Sequence, residues 1–459
     1  GGKMAIEDVM KYIATNEIKW IDLQFFDLFG TMHRVSISRN DLEESSFTKG
    51  ISAADLSEVF GKSEQGELIL LPDPESLARV PWENSSIRLI CDVVVAITGE
   101  RFVKDSRYTI ERVETNLEAL GMKECRIGTE TEFYMFENAT TERTAVGRGG
   151  GTLVDSRESP WSPSPLAYRK SGSFVSPPTD SLYPARNQLS DTLEEQFGIP
   201  VESHHHGRGQ SGQQCVDISH KSLKGAADAF ATLRLVAKNI ALVGNAVASF
   251  MPYPVEGEKG SSCNIHQSLW KGSDTSLFYD ASDEYAQMSQ AARYYIGGLL
   301  EHAPALCLFT NPTSNSYRRL ASDPKQYGWG KGSNSLIQVP YLKKNDRERK
   351  RIAFTLADPA INPYLAFSAV VSAGIDGIKN KIEPGDPLEG DSGKKKSGPN
   401  KPLPETLKGA VESLNSDIKF LKGVFSAELL GDYVEMKLEE HRNSAKSINR
   451  WEMDRYFGV

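Results

Sequence analysis

Only five cysteines occur in 459 residues. They are odd in number and scattered, at Cys91, Cys125, Cys215, Cys263 and Cys307. That usage argues against a disulfide framework and for reduced thiols in a cytoplasmic protein. No apolar run approaches the length of a spanning helix, so no membrane segment is expected. The opening "GGKMAIEDVM" has no signal-peptide pattern, and its first three residues read as an expression remnant ahead of Met4. Positive charge is also scarce: 53 Lys and Arg face 61 Asp and Glu, for a net charge of −8. With a pI of about 5.7, the chain offers no nucleic-acid or anionic-membrane surface. No internal repeat is seen in the sequence.

What is present is a long globular chain. A hydrophobic share of 39% is enough for a sizeable core, and the length suggests two or three domains. Residues 4–16 have helical spacing, and "WIDLQFFDLFG" with "TMHRVSIS" alternates as a hairpin around a turn at Leu28–Thr31. "ELILLPDPESLARVPW" and "IRLICDVVVAI" read as further strands, giving a small, mostly β unit to residue 104. "DSRYTIERVETNLEALG" then opens a second unit as a helix, with an N-cap acid and a terminal Gly121. The strand "CRIGTETEFYMFE" follows, and residues 138–180, rich in Ser, Thr, Gly, Pro and Arg, read as one long mobile loop. "HKSLKGAADAFATLRLVAKNIALVGNAVASF" and "NPYLAFSAVVSAGIDGI" are long helices, "DSGKKKSGPNKP" is a polar excursion, and the remainder is helical. Strands interspersed with helices make the class α+β, divided as 1–104 and 105–459.

Two stretches carry chemistry. In "GTETEFYMFE", Glu130 and Glu132 stand two residues apart. On a strand this puts both carboxylates on one face, about 7 Å apart, with Phe133 and Met135 turned to the core. Such a pair suits an oxygen-ligated Mg²⁺ or Mn²⁺, and a solvated strand face is the plain alternative. The second stretch, "SHHHGRGQSGQQCVDIS" from Ser203 to Ser219, joins three histidines to a cysteine with Asp217 as its only acid.

These stretches have neighbours. "FFDLFGTMHRVSI", "LILLPDP", "GTETEFYMFE", "VESHHH", "FMPYPVEGEKGSSCNIHQSLW", "NPTSNSYRRL", "DPAINPYLAFSAVVSAGIDGI" and "SINRWEMDRYF" follow one another in order. In that order and spacing the chain resembles the type I glutamine synthetase family along nearly its whole length. The resemblance implies a β-grasp domain on a catalytic domain whose curved antiparallel sheet forms a funnel. It also implies hexameric or dodecameric rings, ATP with Mg²⁺ or Mn²⁺ as cofactors, and an acyl-phosphate route from glutamate to glutamine.

Residue by residue, the resemblance implies that Glu130 and Glu132 are metal-binding acids, and that Glu202, His206 and His266 belong to the nucleotide site. Gly260 and Arg319 would meet the substrate amino acid, and Ser57 survives in the N-terminal loop. The departures are many. Gly207 and Cys215 stand where the family has metal-binding acids, Asn264 where it has a metal-binding histidine, and Ala353 where it has a further ligand. Ser333 and Thr355 replace phosphate-binding arginines, Lys325 the mobile glutamate, and Ala54, beside Asp55, the ammonium-binding aspartate. Losing one ligand from a hard-cation site costs about tens-fold or more, and a phosphoryl-binding arginine about several powers of ten.

The reading that follows is a catalytically degenerate member that keeps the scaffold and part of the nucleotide and glutamate pocket. It would act by regulation, or by co-assembly with an active paralogue in nitrogen metabolism. The alternative is an ATP-dependent carboxylate–amine ligase with a changed acid or amine. A third reading gathers Cys215, Cys263 and His204–His206 around a soft metal such as Zn²⁺. Against it, buried cysteines usually act as small hydrophobes, and consecutive strand histidines cannot all face one site. His33, His220, His302 and His441 read as surface or capping residues, and "KKNDRERKR" from Lys343 as a solvated charged turn. "TTERTAVGRGGGTLVDSR" resembles a phosphate loop only by its glycines.

Overall fold

The computed structural model describes residues 4–61, 63–141, 152–164, 173–272, 274–332, 334–341, 343, 345–388, 399–448, 452 and 455. Ser333, most of the polar excursion after residue 390 and most of the final "SINRWEMDRYF" lie outside the described residues.

The first sheet contains β1 (Trp20–Phe26), β2 (Met32–Ser38), β3 (Leu68–Pro72), β4 (Ala78–Arg79) and β5 (Ser86–Val95). Their order is β2-β1-β5-β3, with β4 also on β5. β1 and β5 run parallel at its centre, where both faces are covered. β1 is accordingly buried from Ile21 to Phe26. Ile21, Leu23 and Phe25 enter a hydrophobic core, while Asp22 on the reverse face accepts hydrogen bonds from Arg34 at 3.0 Å and Ser36 at 2.6 Å. The hairpin turn falls where the alternation put it. Its Gly30 has φ +77° and sits so close to Asn362 that a Cβ would come within 2.7 Å of the Asn362 Cα. Asn362 donates to the carbonyls of Asp27 and Leu28 at 3.2 Å and also caps the helix Pro363–Asn380. A second tie is Arg107, only 1% exposed. It pairs with Asp73 at 2.7 Å, with Asp228 at 2.9 Å and with Asp92.

Ten further strands follow among the described residues: β6 (Glu124–Phe136), β7 (Asn138–Thr141), β8 (Thr152–Asp155), β9 (Val201–His206), β10 (Gln213–Ser222), β11 (Val247–Ser249), β12 (Cys263–Trp270), β13 (Gln326–Gly330), β14 (Ser335–Gln338) and β15 (Ile352–Phe354). β7 and β8 pair as a small hairpin, so the stretch 138–180, expected as one loop, contains two short strands, while its other described residues, 156–164 and 173–180, are turns and irregular backbone. The large sheet has the order β13-β14-β15-β12-β6-β10-β9, with β11 on β6. Its pairs are antiparallel except β13 with β14, a parallel edge within the otherwise antiparallel sheet that was expected.

One face of this sheet is dry. Phe133, Met135, Val216 and Ile218 pack with Leu233, Val236 and Ala237 of the helix Leu223–Val243. Ile127, Cys263 and Ile265 join the main core under the helices Gln290–Thr310 and Pro363–Asn380. These two helices cross at glycines: a Cβ on Gly298 would lie 2.1 Å from the Ala373 carbonyl oxygen. Backbone cannot yield by that much without separating the helices. Gly298→Ala is therefore expected to destabilise the fold by about 3 kcal/mol, read as a lowered urea midpoint.

His302 differs from its expected place on the surface. It is 6% exposed, stacks on Phe420 at 4.3 Å, and lies 3.0 Å from Asp376 and 2.8 Å from Asp417. Burial alone would depress its pKa, but the two carboxylates outweigh it and push the imidazole up to about 9. The folded-state value exceeds the unfolded one. Its stabilisation is thus fully present below about pH 6.5 and lost as pH rises through about 9. Melting temperatures measured across that window should fall in the parent protein, and the fall should be shallower in His302→Gln.

Candidate functional site

The open face of the large sheet is organised by register. β6 lies between β12 and β10, and β9 flanks β10. One cross-strand row runs Asn264, Glu130, Asp217, Ser203; the next sets Glu132 opposite Cys215 and Cys215 opposite His205. Alternation along each strand puts these residues, with His266, on the face opposite the dry core. Glu130 and Glu132 therefore share a face as their spacing predicted, and Phe133 and Met135 are buried behind them.

Each carboxylate is held by the protein itself. Glu130 Oε2 accepts from Asn264 Nδ2 at 2.9 Å and lies 3.8 Å from His266 Nε2, while its Oε1 is 4.0 Å from Cys215 Sγ. Burial acts to raise its pKa, but hydrogen bonds from His266 and Asn264 win and bring it down to about 2. Glu132 Oε2 accepts from the Ser262 backbone N–H at 2.8 Å and the Ser262 hydroxyl at 2.7 Å. Its pKa is nevertheless raised, chiefly by burial, with Ser262 and the charge of Arg319 acting the other way. Asp217 is pushed up to about 6 by burial and the Glu130 charge. The Cys215 thiol is raised well above its usual range by burial and then by Asp217 and Glu130.

The three consecutive histidines part company. His205 faces the acid row. His206 lies on the reverse face, 4% exposed, 2.9 Å from Glu158 and 2.6 Å from the Gly207 carbonyl. Glu158 also accepts from the backbone N–H and hydroxyl of Ser181, each at 2.6 Å. His204 receives a hydrogen bond from Arg186 at 3.2 Å. Glu202 forms a separate group with His220 at 3.5 Å and Arg351 at 3.4 Å, and the His220 and His266 rings meet edge-on at 6.1 Å. The hydrogen bond from His220 is the main reason Glu202 is lowered to about 2. His220 is thus part of the site rather than a surface residue, and Arg351 ends the basic run in an ion pair rather than in solvent.

At the other end, Arg319 is 2% exposed and donates to the Leu356 carbonyl. Gly260 packs against it so tightly that a Cβ would fall 2.5 Å from the Arg319 Cγ. Lys325 lies nearby, its pKa lowered by burial and by Arg319 and Lys259 against the pull of Asp323. Three of the substituted positions, Gly207, Ala353 and Thr355, supply no carboxylate or imidazole. Gln213 fills the space a side chain at Gly207 would need, Ala353 is fully buried, and Thr355 donates to the Ser335 carbonyl at 2.9 Å. Ala54 is exposed in the first unit, and Asp55 beside it accepts from the Ser57 N–H at 3.0 Å. A hard divalent cation fits these residues poorly: Gly207 and Ala353 offer no side-chain oxygen, and Asn264 turns its Nδ2 donor toward Glu130, so too few oxygen ligands surround the two glutamates.

Two family models match, "Glutamine synthetase, beta-Grasp domain" over residues 17–96 and "Glutamine synthetase, catalytic domain" over residues 103–456. The chain belongs to the glutamine synthetase family. Within it, the chain is 36% identical over 446 residues to a glutamine synthetase of Sulfolobus acidocaldarius, covering 94% of each. It is 32% identical over 477 residues to a 3-hydroxylaminophenol mutase of Cupriavidus pinatubonensis, covering 99% of each. The fold matches that of a Plasmodium falciparum glutamine synthetase, with a TM-score of 0.89 at 21% identity over 98% of each chain. A second solved structure, GmaS without ligand, gives 0.81 at 23% identity over 98% of this chain and 100% of that one.

Motif matching pointed to Glu130, Glu132, Glu202, His266, Gly260 and Arg319 but missed His220, Arg351 and Glu158, while His205 entered only through the soft-metal reading and Asp217 only as the lone acid of its stretch. His205 and Asp217 were available from period-two counting once Cys215 was placed opposite Glu132; the register itself was not. Glu158→Ala would leave His206 Nε2 buried and unpaired and release the Ser181 N–H and hydroxyl, at about 3 kcal/mol. Chemical denaturation should show a loss of that size, and a loss under about 1 kcal/mol would mean that His206 is not held by this pair.

Proposed function

We propose that this glutamine synthetase-family chain is a non-catalytic member. It keeps the scaffold, assembles into hexameric or dodecameric rings of cytoplasmic protein, and acts by regulation or by co-assembly with an active paralogue. The observation that carries this reading is Glu132. Its carboxylate is buried, receives two hydrogen bonds from Ser262 and feels the charge of Arg319, with Lys325 beside it in place of an acid. Around it the carboxylates that a hard cation needs are missing at Gly207 and Ala353, and at Thr355 no cation is available to neutralise a transferring phosphoryl group. Arg319, Gly260, Glu202 and His266 remain as the elements of a pocket for an amino acid or nucleotide.

The test is direct. Purified protein with glutamate, ammonia, ATP and Mg²⁺ or Mn²⁺ should form glutamine at least about 10³-fold more slowly than an ordinary family enzyme turning over at about 10 s⁻¹. Turnover within about ten-fold of that rate would overturn the reading.

The second reading is a ligase with a changed acid or amine, which the retained Arg319, Gly260, Glu202 and His266 would serve. A screen of acids and amines for substrate-dependent ADP release distinguishes the two. Silence throughout favours the non-catalytic reading, and one productive pair establishes the ligase.

A further inference from the structure

The residues that fail to make a hard-cation site make a different one. One ligand atom each from Glu130, His205 and Cys215 lie within 4.8 Å of one another. They come from the neighbouring strands β6, β9 and β10, so sheet register rather than loop geometry sets their spacing. Around a tetrahedral zinc ion, ligand atoms at 2.0–2.3 Å from the metal would be about 3.5 Å apart. The cluster therefore needs to contract by only about 1 Å, well within side-chain rotation.

Its supporting contacts are already those of a ligand set. Asn264 holds Glu130 Oε2 at 2.9 Å and leaves Oε1 on the side of Cys215, 4.0 Å from its Sγ. His205 Nδ1 lies 2.9 Å from the His206 carbonyl. A carbonyl only accepts, so Nδ1 carries the proton and Nε2 keeps its lone pair. Asp217 Oδ1, 3.9 Å from the Cys215 Sγ, can fill a fourth position that water would otherwise take, and Ser203 donates to its other oxygen. Cys215 forms the floor, fully buried, and Glu130 opens to solvent with 34% of its side chain exposed, which gives an ion a way in.

We propose that Glu130, His205 and Cys215 bind one borderline-soft divalent cation, Zn²⁺, at the place where the family's hard cations are lost. Sulfur and imidazole with a single carboxylate select zinc over magnesium by ligand softness. On binding, the Cys215 S–H bond gives way to an S–Zn bond and its proton passes to solvent. The inference does not depend on whether ligase activity survives, since it concerns occupancy and not turnover.

The experiment uses the full-length protein, stripped with a chelator and titrated with Co²⁺ as a spectroscopic stand-in and then with Zn²⁺. About one Co²⁺ per chain should bind, with tetrahedral visible bands and an intense near-ultraviolet thiolate-to-cobalt band. An equivalent of Zn²⁺ should abolish both, and a thousand-fold excess of Mg²⁺ should not. Cys215→Ser should lose the near-ultraviolet band, Cys263→Ser should keep it, and Asn264→Leu should weaken binding by about 10-fold through the orientation of Glu130. Substoichiometric cobalt, displacement by Mg²⁺, or a thiolate band that persists in Cys215→Ser would each overturn the proposal. If Cys215→Ser does not fold, the wild-type stoichiometry, thiolate band and magnesium resistance still decide it.

Discussion

Everything at the site follows from the position of one strand. β6 is hydrogen-bonded on both sides, to β12 and to β10, so it cannot slip by one residue without turning Phe133 and Met135 out of the core and the two glutamates into it. The apolar face thereby dictates the polar one. Helices beneath the sheet bury Ile127, Phe133 and Met135 of β6, which leaves Glu130 and Glu132 to the opposite face, while Tyr134 and Phe136 further along that face enter a small cluster with Val255. The acid row is a by-product of a packing constraint, and it persists whether or not chemistry still uses it.

That persistence created an electrostatic problem, which the chain has solved locally. Carboxylates crowded on a half-buried face repel unless something compensates them. Glu132 is compensated by Ser262, with Arg319 and Lys325 near it. Glu202 is compensated by His220 and Arg351. Glu130 has Asn264 and His266. Asp217, bonded by the Ser203 hydroxyl, and Cys215 are raised chiefly by burial and then by the neighbouring carboxylates. The uneven distribution separates a part of the sheet that has become self-sufficient from a part that still favours a cation.

Much of the fold was legible in the sequence. The β1–β2 hairpin, the acidic strand and the long helices Leu223–Val243 and Pro363–Asn380 were marked by alternation, caps and ordered motifs, the helix Gln290–Thr310 was not, and the family followed from those motifs. The site was legible in its composition but not in its partners. The three consecutive histidines could not be sorted into faces, because that depends on the pairing of β9 with β10, a long-range property. His220 and Arg351 looked like surface residues because their partner, Glu202, is distant in sequence from Arg351, and because a β-bulge interrupts the strand between Ile218 and Lys221. His302 looked exposed because its two acids come from separate helical segments. In each case the missing information was tertiary.

Arg107 has a consequence beyond stability. It binds Asp73 and Asp92, carried by the first sheet, and Asp228, carried by the helix that lines the dry face of the second. A planar guanidinium shared among three acids leaves little room for a hinge, and the contact of Gly30 with Asn362 closes the same seam elsewhere. The two sheets thus move as a single mechanical part. A neighbour that grips the small sheet, far in sequence from the acid row, takes hold of that row by a lever and not by a tether.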